Sequence, residues 1–155
     1  MRRLPGSHHA ELNGEETARL AAMLDRRLAR EHMSHILGRR GFWTHDFLVT
    51  ADTLDPRPDT ETLIEAVLAA LEDKGRPRRL LDFGTGTGCI LLTLLSELGH
   101  STGLGIDASP AALAVAGRNA ELLGLAPRAE FRLGDWGTGL EGVFAPQVYG
   151  PPFVP

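Results

Sequence analysis

The 155-residue sequence predicts an α/β fold, a Rossmann-like parallel sheet preceded by a short helical segment and a β-hairpin. Three observations predict it. From residue 56 onward, apolar runs of strand length alternate with longer stretches of helical period, which implies parallel strands joined by right-handed crossovers. A glycine-rich turn, Gly84-Thr85-Gly86-Thr87-Gly88, stands where one such strand ends and a helix begins. An acidic residue, Asp107, ends the next strand, 19 residues beyond Gly88.

The elements follow in chain order. Residues 1 to about 15 are polar and lack periodicity, which predicts a loose tail. Leu20, Leu24 and Leu28 fall on one stripe of a helix expected over 17–31, whose other face carries Arg19, Arg26, Arg27 and Arg30. Gly38 ends a second short segment. Phe42-Trp43 and Phe47-Leu48-Val49, either side of Thr44-His45-Asp46, predict a small β-hairpin. Pro56-Arg57-Pro58 is an extended entry to a helix with Asp59 as its N-cap, carrying the stripe Leu63, Ile64, Val67, Leu68 and Leu71. A strand at 79–83, a helix at 89–98, a strand at 102–107 and a helix capped by Ser109 follow. Pro110 at that helix's first position and Gly124 just past its end fit its boundaries. A third strand is expected at 129–133 and a fourth at 143–149. Three regions result: a helical segment over 1–40, a hairpin linker over 41–55, and a ligand-binding domain over 56–155.

Composition narrows the function. Hydrophobic residues make up 43% and charged residues 23%, ordinary for one globular core. A net charge of −4 argues against a broad nucleic-acid surface, with the arginines between Arg19 and Arg40 as a local exception. The single cysteine, Cys89, allows no internal disulfide and fits a cytoplasmic setting. No signal peptide follows Arg2-Arg3, and the longest apolar run, 89–95, is too short to cross a bilayer. The histidines show no ligand spacing, so no metal is expected.

The glycine turn carries the chemistry. Glycines let the backbone bend sharply and let a ligand approach without a Cβ in the way. The spacing G-x-G-x-G departs from the dinucleotide fingerprint, and the absence of a lysine in the turn excludes a phosphate-binding P-loop. S-adenosyl-L-methionine fits better. Its ammonium needs an acidic partner, which Asp82 supplies, and its ribose hydroxyls need an acceptor such as Asp107. Asp135-Trp136, after the third strand, is placed either to meet the adenine or to serve as packing.

These residues resemble the release factor glutamine N5-methyltransferases, class I S-adenosylmethionine-dependent enzymes. The likeness covers Ile36-Leu37-Gly38 with Phe42-Trp43, then Pro56-Arg57-Pro58-Asp59-Thr60-Glu61, then Asp82-Phe83-Gly84-Thr85-Gly86-Thr87-Gly88. It implies that Gly84, Thr85, Gly86, Thr87 and Gly88 form the cofactor loop, that Asp107 holds the ribose, and that Trp136 flanks the adenine. It implies a peptide chain release factor as substrate. It also places Gly150, Pro151, Pro152 and Phe153 at the family's catalytic Asn-Pro-Pro-Tyr motif.

The sequence departs from that pattern at one corner. Gly150 lacks the asparagine oxygen that would grip an amide hydrogen, a loss of about 1–3 kcal/mol, or roughly ten- to hundredfold in rate. Ala145 replaces an acidic residue, and Pro146 falls in the expected fourth strand. The end at Pro155 predicts a truncated sheet with an exposed edge, and with it limited stability or self-association. Two alternatives stay open: an amino-methyltransferase of nucleic acid, and a non-catalytic module that binds cofactor or a partner.

Overall fold

In the computed structural model, residues 12–135 and the backbone of 147–149 are described. Helix α1, Gly14–Leu28, starts earlier than the apolar stripe predicts because Asn13 and Glu16 form a capping box. Asn13 Oδ1 accepts from the Glu16 amide, and Glu16 Oε2 accepts from the Asn13 amide, both at 2.9 Å. It stops short of the expected Glu31, with Arg30 in the left-handed region at φ 65°. The Leu20, Leu24 and Leu28 stripe stays exposed: no residue of α1 is buried, and Leu28 is 81% exposed.

Helix α2, Met33–Leu37, ends at Gly38, whose φ of 70° lets the chain turn directly into β1, Arg39–Phe42. Strand β2, His45–Leu48, pairs antiparallel with β1, Phe42 opposite His45. The hairpin therefore begins two residues ahead of the expected boundary at 41. Its aromatic rings go inward: Phe42 and Phe47 are buried, edge to face at 6.1 Å.

Helix α3, Asp59–Ala70, corrects one detail. Asp59 is the first helical residue rather than the cap, and Pro58 stands at the cap with no side-chain bond. The first free amides are met by backbone instead, Thr60 by the Arg57 carbonyl and Glu61 by that of Pro58. Asp59 still favours the positive end of the helix dipole.

The main sheet then builds up from β3, Arg79–Phe83; α4, Cys89–Glu97; β4, Thr102–Asp107; α5, Pro110–Leu122; β5, Ala129–Leu133; and β6, Gln147–Tyr149. All pairings are parallel, in the order β5-β4-β3-β6. Strands β3, β4 and β5 occupy the residues the sequence predicts. Strand β6 lies within the expected 143–149; Ala145 and Pro146 fall outside the described residues. Ser109 caps α5 through its Oγ, which accepts from the Ala112 amide at 3.2 Å, and Gly124 follows the helix at φ 69°. Arg128 closes α4, its guanidinium donating to the Leu95, Leu98 and Ser101 carbonyls at 2.8–3.0 Å.

Side chains alternate across the strands. One face joins Leu80 to Phe42 and Phe47 of the hairpin, Ile64 and Leu68 of α3, and Leu91, Leu92, Leu94 and Leu95 of α4. The other carries Leu81, Phe83, Leu104 and Ile106 as a separate cluster. On the first face Gly103 lets α4 come close, since a Cβ there would lie 2.5 Å from Leu91. Among the described residues no helix is long and apolar enough to cross a membrane.

Candidate functional site

The chain leaves β3 toward β4 on one side, while β6 lies on the other. The carboxyl end of β3 is thus a topological switch point, where open parallel sheets form their ligand crevice. The glycine turn occupies that point. Gly84, Gly86 and Gly88 take φ of 68°, 54° and 79°, a path side chains resist, so glycine is required there. The turn is tied to β4 by the Gly84 and Thr85 amides, which donate to the Ile106 carbonyl at 2.8 and 3.0 Å. The Gly88 amide donates back to the Thr85 carbonyl at 2.7 Å, and α4 starts at the next residue.

Asp107 ends β4 beside this turn. Its Oδ2 accepts from the Gly86 amide and its Oδ1 from the Ser109 amide, each at 2.9 Å. The carboxylate therefore positions the turn and the entry to α5 while it remains half-buried, with further acceptor capacity on both oxygens. Asp82 lies under the turn and is buried. Thr85 Oγ1 donates to its Oδ2 at 2.7 Å, while among the described residues Oδ1 has no hydrogen-bond partner. Burial pushes this carboxyl up to about 7, against the pull of the Thr85 hydroxyl and the Leu91 amide, with the Asp107 charge adding to the rise. A buried carboxyl oxygen without a donor fits a site made for a cation.

Asp135 is exposed two residues past β5, where Leu133 pairs with Asp107, so it stands at the same end of the sheet. Trp136 and Gly150, Pro151, Pro152 and Phe153 lie outside the described residues. Strand β6 sets Tyr149 opposite Phe83, so the chain leaves β6 level with its exit from β3 into Gly84. Cys89 is partly buried against the core, and burial pushes its thiol up to about 12, which keeps it protonated and inert as a nucleophile. A cavity of about 350 Å³ lies at the opposite end of the sheet, between Arg79, Thr102, Arg128 and Glu130, away from the turn.

Sequence reasoning missed several side chains that hold this region together. Asn119 of α5 is buried and bonds to both the hairpin and the turn. Its signal was an amide on the helix face that otherwise holds Ala112, Val115, Ala116 and Ala120. Trp43, at φ 55° in the hairpin loop, donates from its backbone to Glu61 Oε1 and from its ring to Glu97 Oε1, both at 2.8 Å. Asp55 gathers His35, at 3.1 Å, and His32, at 3.9 Å, a grouping the spacing did not suggest. Among the described residues no group of three or more His, Cys, Asp or Glu is arranged to hold a metal ion.

Residues 76–149, which contain the turn, match the family model of a methyltransferase domain. The release factor glutamine methyltransferase of Rhodospirillum rubrum is 55% identical over 141 residues, 91% of this chain and 43% of that protein. This chain is related to the release factor glutamine methyltransferases. That of Cereibacter sphaeroides is 48% identical over 90% of this chain and 49% of its own length. The chain thus spans about half the length of the curated release factor glutamine methyltransferases it matches. A solved S-adenosylmethionine-dependent methyltransferase of Geobacter sulfurreducens, in complex with S-adenosyl-L-homocysteine, is 35% identical, covering 56% of this chain and 32% of that one at a TM-score of 0.44.

Proposed function

We propose that this chain is the cofactor-binding part of an S-adenosyl-L-methionine-dependent methyltransferase acting on a glutamine side chain of peptide chain release factors. The observation that carries this is the glycine turn at the switch point, flanked by Asp107 and underlain by Asp82. The turn's open backbone takes the methionine part of the cofactor. Asp82, whose Oδ1 has no hydrogen-bond partner among the described residues, would answer its ammonium. Asp107 accepts from the ribose hydroxyls with the lone pairs its two backbone bonds leave free, and Asp135 and Trp136 flank the adenine. When bound, S-adenosyl-L-methionine supplies a sulfonium methyl, a strong electrophile.

The protein's own task is then positioning. An amide nitrogen is a poor nucleophile because its lone pair is delocalised into the carbonyl. Acceptors on its two hydrogens hold the nitrogen toward the methyl group. The resemblance of residues 150–153 to the Asn-Pro-Pro-Tyr motif supports giving that grip to this segment. Gly150 offers no side-chain acceptor, so transfer is expected to be weak, with Pro151, Pro152 and Phe153 left to shape the pocket.

Calorimetric titration of S-adenosyl-L-methionine into the protein and into Asp107→Ala tests the cofactor reading. Binding that the substitution abolishes is the expected result; a folded protein that takes up no cofactor refutes it. Transfer of a tritiated methyl group to a release factor tests the substrate. Transfer that stays absent in Gly150→Asn, despite cofactor binding, would leave a binding module and remove the transferase.

A further inference from the structure

Helix α5 carries a buried amide at a junction of three elements. Asn119 is 1% exposed and makes three hydrogen bonds. Its Oδ1 accepts from the Leu48 amide at 2.8 Å, and its Nδ2 donates to the Leu48 carbonyl at 3.1 Å, so one side chain pairs with both backbone groups of the last residue of β2. The same Nδ2 donates to the Thr87 carbonyl at 2.9 Å. That carbonyl belongs to the peptide linking Thr87 to Gly88, whose N–H is already held by the Thr85 carbonyl at 2.7 Å. Both ends of the peptide that closes the glycine turn are therefore fixed, one from within the turn and one by Asn119.

The surroundings make the geometry exacting. One helical turn earlier on the same face, Ala116 approaches Gly88 so closely that a Cβ there would lie 3.3 Å from Ala116 and 3.1 Å from Leu92. Helix α5 thus presses on the turn through Ala116 and grips it through Asn119. A buried amide in an otherwise small, apolar stripe is expensive to desolvate and persists only when satisfied, as it is here.

We infer that Asn119 is a positioning residue: it sets the Thr87–Gly88 peptide and couples the shape of the cofactor turn to the seating of the hairpin. The hairpin is in turn clasped to α3 and α4 by Glu61 and Glu97 through Trp43. Order imposed on the turn by a bound ligand then reaches Leu48, which the ligand has no need to touch. The coupling to ligand rests on the cofactor reading above; the tie between turn and hairpin does not.

Hydrogen exchange separates the two. In ligand-free protein, Asn119→Leu should speed exchange of the Gly88 amide at least tenfold, although that amide's own acceptor, Thr85, is untouched. A core control, Leu68→Ala in α3, should spare Gly88 at an equal loss of melting temperature. In the same pair, affinity for S-adenosyl-L-homocysteine should fall at least tenfold for Asn119→Leu and stay near wild type for Leu68→Ala. Should Asn119→Leu fail to fold, Asn119→Ala removes the same three bonds with a side chain that cannot clash and gives the same comparison. In the wild-type protein, adding S-adenosyl-L-homocysteine should slow exchange at Leu48 as well as at Gly86 and Gly88. Protection of the turn without Leu48, or a Gly88 amide that the Asn119 substitutions leave unchanged, overturns the inference. No protection of the turn at all counts against the cofactor reading, and the ligand-free comparison then decides the role of Asn119.

Discussion

Asp82→Asn is the substitution whose effect the structure allows to be worked through. The carboxyl has an ordinary value of 3.8 and is pushed up to about 7 by burial in the fold. Between those values the native state holds a proton that the unfolded chain has released. Stability linked to Asp82 is therefore fully present below pH 3.8 and is lost as pH rises through 7. Three pH intervals at about 1.4 kcal/mol each put the penalty above pH 7 on the order of 4 kcal/mol. Asparagine cannot ionise, and its oxygen can still accept from Thr85 Oγ1. Its NH2 group, however, is left buried without an acceptor, at about 1–3 kcal/mol. The variant should thus be less stable than wild type near pH 4 and more stable by roughly 1–3 kcal/mol at pH 8. Urea denaturation of both proteins at pH 4 to 8 reads the crossing directly. Parallel curves would show that Asp82 is not held neutral by its burial, and the argument for it as an unmet acceptor would fall. Cofactor affinity gives the reverse sign. A cation favours the ionised carboxyl, so wild-type affinity should rise with pH toward 8 while that of Asp82→Asn stays flat.

Gly105→Ala places a Cβ 2.8 Å from both Phe131 and Thr85 Oγ1. It should destabilise by about 1–3 kcal/mol in denaturant melts and weaken cofactor binding by disturbing the Thr85–Asp82 bond. Ser109→Ala removes the cap of α5 and leaves the Asp107 contact to the backbone amide in place. A loss of about 1 kcal/mol with cofactor affinity little changed is expected from paired melts and titrations. Leu28→Gln acts on an exposed residue of α1, so its melting temperature should match wild type, with a change below about 0.5 kcal/mol.

The sequence made the sheet legible because strand period, turn chemistry and capping agreed at each boundary. Leu80-Leu81-Asp82-Phe83 runs into glycines, and Ser109-Pro110 opens a helix that Gly124 follows, so local preference and fold coincide. The same logic failed where side chains act across long separations. Helix α1 starts ahead of its apolar stripe because the Asn13–Glu16 box lies before it. Asp59 has the residue type of a cap, whereas the Arg57 and Pro58 carbonyls satisfy those amides. Asn119 reaches residues 71 and 32 positions away, and no local pattern carries such a bond.

The division of the site explains why cofactor binding and transfer can part company in this chain. Asp82, the glycine turn and Asp107 come from one strand–turn–helix–strand unit, bonded within itself through Ile106, Thr85 and Gly86. Among the described residues the side-chain bonds of Asp82 and Asp107 stay within this unit, and Asn119 of α5 adds a tie from the turn to Leu48. Strand β6 lies on the other side of the switch point and pairs with β3 from Leu81–Gln147 to Phe83–Tyr149, while residues 150–153, proposed for the substrate grip, lie outside the described residues. If 150–153 form the grip as proposed, Gly150 in place of asparagine would remove an acceptor there while leaving the described bonds of the cradle in place. Cofactor binding should survive in this chain even where methyl transfer has been lost, and the two are to be measured separately.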